Sequence, residues 1–192
     1  HLCLFPAALV SVAIGMMGVL AAKKLDRLVA FAVIGSMGMV MVTISLFTPE
    51  GIAAALYYII HSTLAGAALF LIADLVRTGR GSLDLTAQPP MAGAALTAAL
   101  FFVGAIAMAG LPPLSGFLGK LLVLNASFSA PQAAWIWGVV LVSSLVSILG
   151  FARAGSLLFW KAKSLPRGGC VGGGAGLQRP HHRRCPLPLS VV

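Results

Sequence analysis

Gly110-Leu111-Pro112-Pro113-Leu114-Ser115-Gly116 stands in the middle of an apolar stretch that runs from Met91 to Ser127. A continuous helix over that stretch would reach about 55 Å, well past a bilayer core of about 30 Å. Pro112 and Pro113 remove two backbone donors and clash with the preceding turn, so the helix breaks there. The flanking pieces, about 20 and about 12 residues, are unequal, and the second is too short to span alone. Whether 91–127 is two crossings or one broken crossing decides the fold.

The runs on either side supply the answer. Leu2–Ala22, Val29–Phe47, Ile52–Leu75 and Ala134–Phe159 are each apolar and long enough to cross. Lys23, Lys24 and Arg27 fill the first connection, and Thr48-Pro49-Glu50-Gly51 reads as a tight turn. Arg77, Arg80, Asp84 and Pro89-Pro90 mark the third, and Ser129-Ala130-Pro131-Gln132 has no charge. Positive charge collects on the cytoplasmic side of membrane helices. If 91–127 crosses once, Lys23, Arg77, Arg80, Arg153, Lys161 and Lys163 all fall on one side; if it crosses twice, the last cluster falls outside. The pattern therefore predicts an all-α polytopic membrane protein with five crossings, the fourth discontinuous at Pro112-Pro113. Unwound backbone at that depth is tolerated only where it is buried or lines a cavity, and broken helices commonly handle ions. A plain proline kink is the other reading.

Composition agrees. Of 192 residues, 59% are hydrophobic and 9% charged, with a mean hydropathy of +1.02; soluble domains carry roughly 25% charge. No polar shell can be built from this chain, which excludes a soluble enzyme, a coiled coil and a disordered hub. The net charge of +9 flanks the apolar runs instead of forming a nucleic-acid face. Residues 1–163 read as the transmembrane domain. Residues 164–192, with Gly168-Gly169-Cys170 and His181-His182-Arg183-Arg184-Cys185, show neither periodicity nor a spanning run and read as a disordered or out-of-frame tail. Cys3, Cys170 and Cys185 form no disulfide framework or zinc pattern, and no metal or cofactor is expected. The chain enters an apolar run at His1 without a basic n-region, and reads as part of a longer protein with no signal peptide.

Ionisable groups inside crossings are costly and read first as functional. His61 lies near mid-depth of the third run, with Tyr57 on its face and Ser62 beside it. A histidine changes charge near neutral pH, as a proton relay requires; a neutral histidine bonded to a neighbouring helix is the alternative. Lys120 follows the break, four residues after Gly116. It is too deep for its stem to reach the interface, and a buried lysine can exchange its proton. Asp74 and Arg77 read as an interfacial ion pair. No P-loop, H-E-x-x-H or G-x-S-x-G pattern occurs.

Leu25-Asp26-Arg27-Leu28-Val29-Ala30-Phe31, Gly35-Ser36-Met37-Gly38, Tyr58-x-x-His61-Ser62, Ala68-Leu69-Phe70-Leu71 and Gly110-Leu111-Pro112-Pro113-Leu114-Ser115-Gly116-Phe117-x-Gly119-Lys120 follow one another in that order. This series resembles the antiporter-like membrane subunits shared by Mrp-type cation/proton antiporters and respiratory complex I. The wording at Val33–Gly38 and Phe151–Lys161 is most similar to the D-type subunits of Mrp or Pha antiporters. The resemblance spans about residues 1–163. It implies discontinuous helices and a buried chain of Lys, His and Glu, with His61 at the family's intramembrane histidine and Lys120 at the ionisable position after its broken helix. Ser115, Gly116, Tyr57 and Ser62 would support that pair. The family often has Asp-x-Lys-Arg where Lys24-Leu25-Asp26-Arg27 stands, so that lysine's role does not transfer to Lys24. The family's Glu and Lys from its earlier broken helix would precede this chain.

The resemblance implies a subunit of a multi-subunit monovalent cation/proton antiporter in the cell membrane. Its partners would be other membrane subunits of that complex, the bilayer, protons and Na+ or K+, with no nucleic acid. A proton-pumping subunit of an NADH:quinone oxidoreductase and a membrane subunit with no transport of its own are the alternatives. In the full-length protein, the charge pattern predicts that a reporter fused after Glu50 is external and that reporters after Gly81 and Lys163 are cytoplasmic. An external Lys163 fusion would mean that 91–127 crosses twice.

Overall fold

A computed structural model describes residues 4–86 and 93–160. Helices account for nearly all of them: α1 (Leu4–Ala21), α2 (Leu25–Ile44), α3 (Pro49–Arg80), α4 (Ala94–Ala109), α5 (Ser115–Ser127) and α6 (Ala133–Gly155). The last helix runs on through one wider π turn, Ser156–Trp160. The architecture is that of an all-α polytopic membrane protein: α1, α2, α3 and Ala133–Trp160 are each long and apolar enough to span, and α4 is a shorter apolar helix. The tail at 164–192 lies outside the described residues.

Helix ends sit where local chemistry puts them, which moves several boundaries. The Thr48–Gly51 segment is a helix start: the Thr48 hydroxyl caps α3 by accepting from the Gly51 amide at 3.0 Å, and Pro49 fits the first turn, where its missing N–H costs nothing. Arg27 belongs to the first turn of α2. α3 continues past Leu75 through Arg77 and Arg80 because no breaker intervenes before Gly81, which closes it. At 1.5 Å per residue this helix is about 48 Å long, so its arginines clear the hydrocarbon. Asp74 makes no ion pair with Arg77 among the described residues; α3 runs on as a regular helix there, and the Asp74 carbonyl accepts from Thr78. Beyond Gly81 the chain returns to the α1–α2 connection, where Leu25 N–H donates to Leu83 at 3.0 Å and Leu85 N–H to Lys23 at 2.9 Å. Two connections expected on the same side of the membrane are thus joined.

The fourth crossing is one broken crossing. Along α3, Leu69 and Ile72 lie against Gly104, His61 against Gly116, and Tyr58 against Gly119. The order is monotonic, so α4 and α5 succeed each other antiparallel to α3 with the break between them. α6 then closes the bundle against α1 and α4.

The core is split into two apolar layers. One contains Leu25, Leu28, Leu69, Phe101, Phe151 and Leu158; the other contains Val12, Met39, Val42, Val123, Ile136 and Val140. Between them four helices place buried polar side chains: Ser36 on α2, His61 and Ser62 on α3, Lys120 on α5, and Ser143 and Ser147 on α6. The outer surface is apolar. Leu64 and Leu71 of α3 are 68% and 73% exposed, which suits hydrocarbon and not water. Trp135, Trp137 and Phe128 gather at one end and Trp160 at the other, as aromatic residues do at membrane interfaces.

Phe101 is fully buried and stacks with Phe102, Phe151 and Phe159 at ring separations of 5.7, 6.2 and 5.7 Å. Phe101→Ala should destabilise the full-length protein by about 3 kcal/mol or more through the cavity it leaves. Leu100→Ala, on the exposed face, should be close to silent. Unfolding midpoints in detergent would measure both.

Candidate functional site at the helix break

The break is built by three residues with no freedom to do otherwise. Gly110 adopts φ +74°, ψ +47°, the left-handed region that glycine enters without strain. Its N–H and that of Leu111 turn back to Ala107 (3.2 Å) and Ile106 (3.2 Å), closing the last turn of α4 as a Schellman motif. Pro112 and Pro113 then prevent resumption. α5 starts at Ser115 from an extended Leu114. The Ala109 carbonyl, at the end of α4, is left without a backbone donor in the ladder.

Lys120 fills that gap. Its Nζ donates to the Ala109 carbonyl and to Ser144 Oγ at 2.7 Å. The lysine is only 7% exposed, and among the described residues no carboxylate faces it. Its charge is instead matched by the carbonyl end of α4, where the helix dipole favours a cation. Gly110 permits this approach, because a Cβ there would stand 2.8 to 2.9 Å from the end of the lysine stem.

His61 meets the same break from α3. Its Nδ1 lies 2.9 Å from Ser115 Oγ. The serine hydroxyl can donate or accept, so the contact holds for either tautomer of the neutral ring and for the charged ring, which donates. Lys120 Nζ lies against Gly110 and His61 Nε2 against Gly116, so both meet the same break. Gly116 makes the packing possible: a Cβ there would overlap the Ala107 carbonyl oxygen and come within 2.8 Å of His61 Nε2.

Of the sequence-predicted residues, the structure brings His61, Lys120, Ser115 and Gly116 together around Pro112-Pro113. Tyr57 joins them through its hydroxyl, 3.3 Å from the Ser115 carbonyl. Ser62 does not: it is buried and turns back to Ile59 of its own helix at 3.5 Å. Two participants were not among the predicted site residues. Ser144 was visible only as part of a Ser143-Ser144 pair inside an apolar run. Tyr58, 5% exposed, sets its ring edge-on to His61 at 6.1 Å and lines, with Lys120, Ser36, Ser143 and Ser147, a cavity of about 10 Å3. That is about the room one water needs; Met16, Met39 and Met108 complete the lining. The arrangement can keep an exchangeable proton on a lysine and present it to an imidazole on one side and a water-sized space on the other.

A bundle with one broken crossing, an interior polar layer and a buried lysine and histidine at the break is that of an all-α polytopic membrane protein with ionisable groups in its interior. The profile described as "NADH:quinone oxidoreductase/Mrp antiporter, TM" matches residues 1–149, and the chain belongs to that family. It is 32% identical over 174 residues to the D subunit of the Na(+)/H(+) antiporter of Bacillus subtilis (strain 168), covering 87% of this chain and 34% of that protein. It is 34% identical over 151 residues to the N subunit of the NADH-quinone oxidoreductase of Granulibacter bethesdensis, covering 74% and 31%. In the structure of the Mrp complex from Dietzia sp. DQ12-45-1b, one chain superposes with a TM-score of 0.72 at 28% identity, over 81% of this chain and 30% of that one. The chain thus spans about a third of the length of the curated relatives it matches.

Gly116→Ala tests the geometry. The new methyl group meets backbone, which cannot yield without moving α5, so the His61–Ser115 contact should open at a cost of about 1–3 kcal/mol. Reduced thermal stability and weakened exchange, in a protein that still assembles, is the expected result.

Proposed function

We propose that this chain is the proton-carrying portion of a membrane subunit of a monovalent cation/proton antiporter, with Lys120 and His61 as stations on the path. The observation that carries the reading is Lys120: a buried lysine with no carboxylate facing it among the described residues, held on the free carbonyl of a broken helix beside a water-sized cavity. An ammonium so placed is kept by polar acceptors and not by a fixed countercharge, and so it can lose its proton and regain it. The break offers the proton two neighbours. On one side His61 takes or returns a proton while its Ser115 partner turns; on the other, a water in the Tyr58-lined cavity accepts it. The groups that would pass the proton are the amine, the imidazole and water, with hydroxyls and the Ala109 carbonyl holding them in place. The likeness to proteins named for Na(+)/H(+) exchange supports Na+ or K+ as the counter-ion, other membrane subunits of the same complex as partners, and the cell membrane as the location.

A second reading is favoured by the NADH-quinone oxidoreductase relative: the same polar layer would then serve a proton-pumping subunit, with redox chemistry in partner subunits. Sodium/proton exchange in vesicles without NADH separates the two. It should be present for an antiporter and absent for a redox-driven pump.

The site itself is tested in the full-length assembled complex. His61→Ala should lower pH-driven exchange to about a tenth or less, the scale of a lost proton-transfer group, with the complex intact. Lys120→Ala should abolish coupled exchange. Lys120→Arg keeps the charge but, with a pKa above about 12, cannot release the proton, and should be nearly as damaging. Full activity in the arginine variant would make Lys120 a fixed charge. Normal exchange in all three variants would leave a structural subunit as the better description.

A further inference from the structure

Lys120 rests on two acceptors, and only one of them is backbone. The other, Ser144, comes from α6, whose one charged residue, Arg153, lies in its last turn. An ammonium only donates, so Ser144 Oγ accepts from Nζ at 2.7 Å and donates its own proton to the Val140 carbonyl, also at 2.7 Å. That carbonyl has a second hydroxyl on it, from Ser143 at 3.0 Å. It therefore keeps a side-chain partner when Ser144 turns away, and the rotation leaves no orphaned buried group.

We infer that Ser144 is a positioning residue that follows the charge of Lys120: its hydroxyl accepts from the ammonium and donates to the free amine. When Nζ has lost its proton it carries a lone pair and needs a donor. The Ser144 O–H supplies one by turning about its Cβ–Oγ bond, from Val140 to Nζ, with no covalent bond made or broken. The amine then stays over the Ala109 carbonyl in both states. Without that hydroxyl the neutral lysine has no donor, and its flexible stem is free to leave the break before a proton returns. Ser143 and Ser147 also donate to carbonyls of their own helix, Val140 and Ser143, but among the described residues Ser144 is the serine whose oxygen lies on Nζ. The titratable groups that face Lys120 among the described residues are His61 and Tyr58, both on α3; α2, α4 and α6 present only hydroxyls, carbonyls and methionine to it.

This inference rests on Lys120 being a proton station, and the experiment separates the two. Exchange is measured from pH 6 to 9 in the full-length assembled complex for Ser144→Ala, Ser144→Val, Ser144→Thr and Lys120→Ala. Ser144 is half-buried, and alanine there removes only the hydroxyl, so assembly should persist. Alanine and valine should slow exchange about tenfold and move the half-point of the pH profile about one unit toward acid, because the charge-assisted bond lost by the ammonium is stronger than the neutral bond lost by the amine. Threonine, which restores the hydroxyl, should recover both, whereas valine, with the same shape, should not. A valine variant with wild-type rate and profile, or a threonine variant as impaired as valine, overturns the role of Ser144. If Lys120→Ala abolishes exchange while the serine variants are silent, only Ser144 is lost from the mechanism. If Lys120→Ala exchanges normally, the proton-path reading falls and takes the Ser144 assignment with it.

Discussion

A carbonyl freed at the middle of a membrane helix must find a donor, because hydrocarbon offers none. The Ala109 carbonyl is that group, and the Lys120 ammonium is the donor it finds. The pairing solves two problems at once. The helix end is capped, and a buried cation obtains an electrostatic partner without a carboxylate. Each side of the contact would be costly alone. Together they account for the position of α5, which must start close enough to α4 for a lysine on its second turn to reach back over Gly110.

The rest of the interior is arranged around this contact. Apolar layers lie on either side of it, and the serines, tyrosine and histidine of four helices occupy the level between them. Most of these hydroxyls bond carbonyls of their own helices. They therefore satisfy themselves and still turn an oxygen toward the cavity beside Lys120. A membrane interior can be made polar in this way at little energetic cost, since no group depends on a partner that must move. Ser115 and Ser144 differ in what their oxygens meet: Ser115 lies against His61, and Ser144, while donating to Val140 of its own helix, also accepts from Lys120. Those two are the hydroxyls in contact with groups able to change charge.

Helix breaks of this type also separate dipoles. α4 ends with its carbonyls toward Lys120, and α5 begins with its amides near His61 and Ser115. A cation is favoured at the first and a neutral or negative group at the second.

Much of this was legible in the primary sequence. The number of crossings followed from run lengths and from the side on which Lys and Arg fall. The break followed from Gly110 and Pro112-Pro113, since proline chemistry is local. His61 and Lys120 were conspicuous because charge inside an apolar run is costly unless a specific partner holds it. Helix ends were less legible: Thr48 and Gly81 set them through capping, so α3 is longer than its apolar run. What the sequence could not determine was pairing. Asp74 and Arg77 are three residues apart and yet make no ion pair among the described residues, Ser62 adjoins His61 and yet serves its own helix, and Tyr58 rather than Tyr57 lines the cavity. Ser144, 24 residues from Lys120, holds its amine. Such contacts depend on the rotation and depth of separately anchored helices, and these are set by close packing of the whole bundle and not by any local stretch of chain.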